Sequence, residues 1–263
     1  MPTDPVVAFI DYLIEDYGDE WVTKAMYHYR WHHRYPGAIN KASSLLPLAQ
    51  GLHVADRQFG AMKRFITDRQ IGRTALVGST DANRATIESS YLRMLRVLEE
   101  HLTEHDFLCG NRPGCSDFGV FGQLSQLARW DPDSATIAVD EAPRVVVWTD
   151  MLDDLSWWPD PAATDWFDRS SLPATTMALL HEIGRTYAPF LLANADALQH
   201  GRDEVVALID NHEYRHGAFA YQGKCLQWLR KQYGALTAAD RIAVDAILHG
   251  TGCEPLVSEG EHQ

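Results

Sequence analysis

No apolar run in the 263-residue sequence approaches the roughly 20 residues that a bilayer span requires. The first residues, MPTDP, lack the basic-then-apolar pattern of a secretory signal. Positive charge is scarce as well: 23 basic against 36 acidic residues leave a formal charge of −13. That balance argues against a nucleic-acid footprint or a polybasic membrane anchor. Cysteine is sparse, and Cys109, Cys115, Cys225 and Cys253 form no short paired spacing, so neither a disulfide framework nor a cysteine-rich zinc site is expected. Reduced, buried thiols in a cytoplasmic protein are expected, with neither nucleic acid nor membrane as partner. What is abundant is core material: 46% hydrophobic residues, enough for one large domain or two small ones.

Helical punctuation dominates. Residues 5–17 place Val6, Phe9, Ile10, Leu13 and Ile14 on one stripe, behind a Thr3-Asp4 cap region and a first-turn proline. After an aromatic stretch, Pro36-Gly37 is read as a break, and a second helical piece over Ala42–Phe65 is interrupted near Pro47. From about Asp81 to His105, apolar residues at three- and four-residue steps predict a central helix. The turn cluster GNRPG then starts a helix with Phe118, Phe121, Leu124 and Leu127 on its expected buried face. A further helix opens at Pro143, one runs from about Ala174 to His200 and ends at Gly201, and a Thr237/Asp240 capping box begins the last.

The exception is residues 204–221, whose β-branched and aromatic residues flank a polar centre at Asp210-Asn211-His212, as in a β-hairpin. This decides the reading of HEYRH at 212–216. On a helix, that spacing would be a zinc-peptidase motif. On a strand, residues four apart stand about 13 Å apart, too far for one tetrahedral ion.

Other constellations are thin. No G-x-S-x-G elbow appears, and Gly119 and Gly122 suit close helix approach better than phosphate binding. The acid pairs Asp153-Asp154 and Glu99-Glu100 read as solvated faces. His28 and His32 could chelate a metal on a helix but lack a carboxylate at matching spacing, so no metal and no catalytic residue is assigned.

FLCGNRPGCSDFGVFGQLSQL, the Asp131-Pro132 pair and APRVVVW resemble the helical carboxyl-terminal domain of the glutathione transferase superfamily. There, a loop of the type flxGxxPSxADF starts a buried helix, with a hydroxyl cap and an aspartate three residues on. Asp117 matches that aspartate, whereas the cap position holds Gly114, a change costing only a few tenths of a kcal/mol. EDYGDEWVTKAMYHYRW, YQGKCLQWLRKQYGAL and TGCEPL look like a bacterial subgroup of the family.

The resemblance implies an all-α helical bundle of the transferase carboxyl-terminal type, with one short β-hairpin near residues 204–221. The expected organisation is a helical domain over 1–173, a helical extension with the hairpin over 174–255, and a disordered tail over 256–263. It also implies glutathione conjugation to electrophiles as the inherited reaction. The sequence is read as lacking the amino-terminal thioredoxin-like domain, so this chain alone is expected to be inactive, with no cofactor and with glutathione as co-substrate only if that domain is supplied. In the family, the first helices of this domain wall the electrophile, which points to Tyr27, His28 and Trp31 as substrate-binding residues and to a small hydrophobic electrophile as ligand. Packing between helices is the competing reading of those rings. The alternative function is a non-catalytic binding or scaffold module, forming a homodimer or holding a partner protein.

Overall fold

The computed structural model describes residues 1–49, 51–156, 158 and 166–258. Helix α1 (Pro5–Tyr17) begins where Asp4 Oδ1 accepts the Val6 and Val7 backbone N–H groups at 2.8 and 3.3 Å. It continues without a break through a π-helical turn, Gly18–Val22, into α2 (Thr23–Trp31). Pro36 does not break this region but starts α3 (Pro36–Leu45), since its missing N–H and fixed φ suit a first helical position. A single 3₁₀ turn at Leu46–Leu48 and a loop lead to α4 (Asp56–Ile71), in which no residue is buried.

Helix α5 (Arg84–His101) is central, with Ile87, Tyr91, Met94, Leu95 and Leu98 buried as the spacing predicts. Helix α6 (Cys115–Leu124) passes through a second π-helical turn, Ser125–Trp130. It is followed by α7 (Pro132–Glu141), which the sequence reading leaves out, and α8 (Pro143–Asp153). Of the connection expected over residues 157–173, residues 158 and 166–173 are described and hold no helix; the others lie outside the described residues. Helix α9 (Ala174–Gln199) ends before Gly201 at φ 62°, the left-handed stop expected of it.

Strands β1 (Glu204–Ile209) and β2 (His212–Gly217) pair antiparallel, with Ile209 opposite His212. Asp210 and Asn211 alone form the turn, both at positive φ, the two-residue form that matches strand twist. The hairpin is shorter than the expected 204–221, because Ala220 already begins α10 (Ala220–Gly234). Helix α11 (Ala238–Leu248) starts with Thr237 Oγ1 accepting the Asp240 N–H. The tail boundary at 256 is also corrected. Leu256 and Val257 lie in α12 (Glu254–Val257) and are buried in the common core, while residues 259–263 of the predicted tail lie outside the described residues.

The end of α1 and α6 cross in backbone contact at Gly18 and Gly119. A Cβ on Gly18 would lie 3.0 Å from the Gly119 carbonyl carbon, and one on Gly119 would lie 3.0 Å from the Glu15 carbonyl oxygen. The predicted face holds in part: Leu124 and Leu127 are buried and Phe121 is partly buried, but Phe118 is 49% exposed, with Gly119 and Val120 buried against α1 instead.

The same crossing supplies the start of α6. The Asp11 carboxylate, 1% exposed, accepts the Cys115 and Ser116 backbone N–H groups at 3.1 and 3.0 Å and the Ser116 hydroxyl at 2.6 Å. Asp117 reaches back instead, accepting the Gly114 and Leu108 N–H groups at 2.8 and 2.9 Å. The helix-start donors expected to fall to Asp117 are thus shared between two carboxylates, one of them from α1. Glycine stands at the cap because any Cβ on Gly114 would collide with the Asp11 carboxylate. Gly114→Ser should therefore destabilise the parent by roughly 1–2 kcal/mol, whereas in an Asp11→Ala background the same change should stabilise by supplying the missing oxygen. Urea melts of the four proteins measure this, with Asp153→Ala at the exposed end of α8 expected within about 0.5 kcal/mol of the parent.

Candidate functional site

The π-helical turn after α1 leaves Asp19, Glu20, Thr23, Lys24 and Tyr27 along one side of a cleft of about 310 Å³. Leu76 and Val77, from the loop after α4, and Phe219, Tyr221 and Gln222, at the start of α10, line the rest. Phe219 and Tyr221 are roughly half exposed, at 45% and 48%, so ring surface meets solvent at the cleft. The lining is mostly apolar with a few polar groups, the composition of small-molecule sites.

Lys24 is the group the sequence reading missed. It is 4% exposed, and its ammonium stands 4.0 Å above the Phe190 ring. Among the described residues no carboxylate lies within ion-pair distance of it. Burial pushes its pKa down to about 8, against the pull of Glu20. Burial also raises the Glu20 carboxyl, while a hydrogen bond from Gln222 and the charge of Lys24 lower it. His216 also packs against Phe190, with ring centroids 4.7 Å apart. Its Nδ1–H donates to the Gly217 carbonyl at 2.7 Å, and its Nε2 is buried without a partner. Burial first, then Lys24, hold His216 neutral, with a pKa lowered to about 4. No periodicity marks a lone buried lysine. It becomes visible only when the hairpin folds back over α2.

Of the three predicted substrate residues, the structure brings only Tyr27 to this cleft. Its hydroxyl donates to the Gln70 carbonyl at 2.6 Å and so ties α2 to the end of α4. His28 points elsewhere: fully buried, it contacts Ser79 Oγ at 2.9 Å and Glu88 Oε1 at 3.4 Å. Burial pushes its pKa down to about 4. Trp31 is 2% exposed and does not line the cleft. On the helix the three span an arc of only about 100°, so depth separates them: Tyr27 is partly exposed, while His28 and Trp31 are buried. Gly114 and Asp117 lie at the start of α6, in the arrangement described above.

None of the four thiols is fully exposed. Cys109, Cys225 and Cys253 are buried thiols and Cys115 is partly buried, all unpaired. Burial raises the thiol pKa of each, that of Cys253 to about 12. His212 and His216 lie on β2 rather than on a helix, which removes the zinc-peptidase geometry from HEYRH. Among the described residues no helix is long and apolar enough to cross a membrane.

Residues 81–169, about a third of the chain, match the family model described as glutathione S-transferase, C-terminal domain. Neither a curated protein nor a solved structure matches the chain. The architecture is an all-α bundle of the glutathione transferase carboxyl-terminal type, carrying one β-hairpin.

The acids beside the cleft make stability depend on pH. Asp16 is 7% exposed and accepts the Tyr187 hydroxyl at 2.5 Å. Burial raises its pKa from 3.8 to about 7, with Glu20, Glu15 and Asp19 adding to the rise and the Tyr187 bond opposing it. Between these values the folded chain binds the proton and the unfolded chain does not, so the contribution is full below pH 3.8 and lost as pH rises through about 7. The Asp16 contribution to the unfolding free energy should accordingly fall between pH 5 and pH 8, while His28 and His216, whose pKa values burial lowers from 6.5 to about 4, add a contribution that rises with pH up to about 6.5. Asp16→Asn should flatten that fall by on the order of 2 kcal/mol, as denaturant melts at the two pH values would record. Asp117, also raised to about 7 by burial, accounts for a residual slope of the same sign.

Proposed function

We propose that this is a glutathione transferase-like protein whose helical domain holds a small hydrophobic electrophile in the cleft beside Tyr27. The carrying observation is the cleft itself, walled by Tyr27, Leu76, Val77, Phe219 and Tyr221 next to the first helices. The match of residues 81–169 to the transferase carboxyl-terminal family supports the reaction class. Conjugation requires a thiolate positioned about 3–3.5 Å from its target. The cleft residues bind and orient but activate no thiol, so catalysis needs a thioredoxin-like partner half, and this chain alone is inactive. Chlorodinitrobenzene is the probe. Equilibrium dialysis should show saturable binding, weakened roughly fivefold to tenfold by Tyr221→Ala, a loss of about 1–1.4 kcal/mol from buried ring area, and little changed by Tyr27→Phe. Binding indifferent to Tyr221→Ala would remove the cleft from the reading. A glutathione-dependent rate well above the uncatalysed one would overturn the inactivity of this chain alone.

A second reading, a non-catalytic module that pairs with a second copy of itself, is favoured by α4. That helix buries no residue and exposes Phe65 at 66%, beside Leu45 at 47% and Leu52 at 80%. It also carries Arg57, Lys63, Arg64 and Arg69 against Asp56 and Asp68, on a chain whose net charge is −13. A basic helix with an apolar face complements the acidic body of a second copy. Light scattering at high micromolar concentration should give a dimer, and Phe65→Asp should return it to monomer. A monodisperse parent monomer would refute the pairing.

A further inference from the structure

Helix α2 ends at His32, whose N–H still bonds the His28 carbonyl at 3.0 Å while its own ψ of 138° leaves the helical range. The chain therefore turns outward, and the rings of His32 and His33 come to lie 4.2 Å apart, tilted by 35°. Across from them is Asp81, in the loop before α5. That loop is fixed by buried groups on either side of the aspartate. Ser79 Oγ meets His28 Nδ1 at 2.9 Å, and Asn83 Nδ2 donates to the Gly78 and Arg215 carbonyls at 2.8 and 2.7 Å. The result places Asp81 Oδ1 3.5 Å from His32 Nε2 and 3.7 Å from His33 Nε2. One ligand atom from each of the three residues lies within 4.8 Å of the others.

From this geometry we propose that His32, His33 and Asp81 form a binding site for a divalent transition-metal ion such as Zn²⁺. Bonds of about 2.0–2.2 Å in a tetrahedron put neighbouring ligand atoms about 3.3–3.5 Å apart. The two measured separations are within a few tenths of an ångström of that spacing. Two imidazoles and a carboxylate suit zinc and its first-row neighbours rather than magnesium or calcium. The inner ligand is held: His32 is 2% exposed and packs on the His28 ring at 4.5 Å. The side chains of His33 and Asp81 are 71% and 74% exposed, so the outer side is open for the ion to enter and for water to fill a fourth position. Binding through Nε2 requires the His32 proton on Nδ1. The contact it displaces, from the Arg34 N–H at 3.4 Å, is at the outer limit of a hydrogen bond and is cheap to give up. Arg84 pairs with Glu88 at 3.5 Å, so its charge is not left uncompensated beside the site.

The competing description is a surface contact between histidine and carboxylate, worth little by itself. Titration calorimetry of the full chain with Zn²⁺, and the visible spectrum with Co²⁺, separate the two. The site predicts one equivalent of saturable Zn²⁺ and a tetrahedral cobalt spectrum. His33→Ala and Asp81→Asn, both at exposed positions that leave the core intact, should each weaken binding roughly tenfold or more, as loss of a ligand group does. His212→Ala, on the exposed end of the hairpin, should leave it unchanged. No saturable binding would overturn the proposal. So would binding that survives both variants, an ion held adventitiously at another histidine.

Discussion

The carboxylate of Asp11 is the interaction from which the bundle is organised. A helix start presents backbone N–H groups that must find acceptors, and when the start is buried no water can serve. Helix α6 begins in the interior, with Ser116 and Asp117 fully buried, and its own cap residue, Gly114, carries no oxygen. Asp11 makes up the deficit from α1, and it can do so only because α1 and α6 touch backbone to backbone at Gly18 and Gly119. Crossing distance, cap residue and buried acid are thus a single solution. A larger residue at either glycine would separate the helices and withdraw the acceptor.

The same device recurs further along. Helix α8 starts after Ala142, again without a capping side chain, and Glu99 of α5 accepts the Arg144 and Val145 N–H groups at 2.8 and 3.4 Å. Glu99 therefore works as a cap rather than as the solvated acid its sequence position suggests. Arg30 of α2 clasps both oxygens of the fully buried Asp131 at 2.8–3.2 Å where α7 begins. Arg169 joins Asp4, the cap of α1, at 2.6 Å to Asp240, in the first turn of α11, at 2.7 Å. The buried pair Arg30–Asp131 adds little net stability once desolvation is counted, but removing one partner leaves a costly uncompensated charge, and the partly exposed Arg169 pairs add little in themselves. Their effect is on orientation: each fixes the end of one helix to a particular point on another.

That distinction explains how much was legible beforehand. Apolar spacing reports the face of a helix, so the stripes of α1, α5 and α8 stood out, and the paired positive-φ residues Asp210 and Asn211 marked a hairpin from composition alone. Local spacing says nothing about groups donated by another helix. Phe118 looked buried because it continues a stripe, yet the approach of α1 selects the small residues Ser116 and Gly119 as the contact face. Helix α7 was passed over because Pro132–Glu141 buries only Ser134 and Ala138 and so lacks a large apolar stripe. His28 and Trp31 carry the side chains of a binding wall but turn inward, and Lys24, which does reach the cleft, looks in sequence like an ordinary polar position on α2.

The matched segment and the cleft also differ in kind. Residues 81–169 contain the α5–α6 corner and α8, whose turn, cap position and stripe are legible in the sequence, although Asp11, which completes the start of α6, lies outside them. The residues lining the cleft, from Asp19 to Tyr27, Leu76 and Val77, and Phe219 to Gln222, all lie outside that segment and meet only through the fold. Family likeness consequently bears on this part of the scaffold and not on the cleft. The loop after α4 and the start of α10 shape the cleft, and the carboxylates of Asp19 and Glu20 share its lining with the buried ammonium of Lys24. Changes in these flanks can alter what the cleft accepts while the α5–α6 corner, with Asp11 and Asp117 at its core, stays fixed.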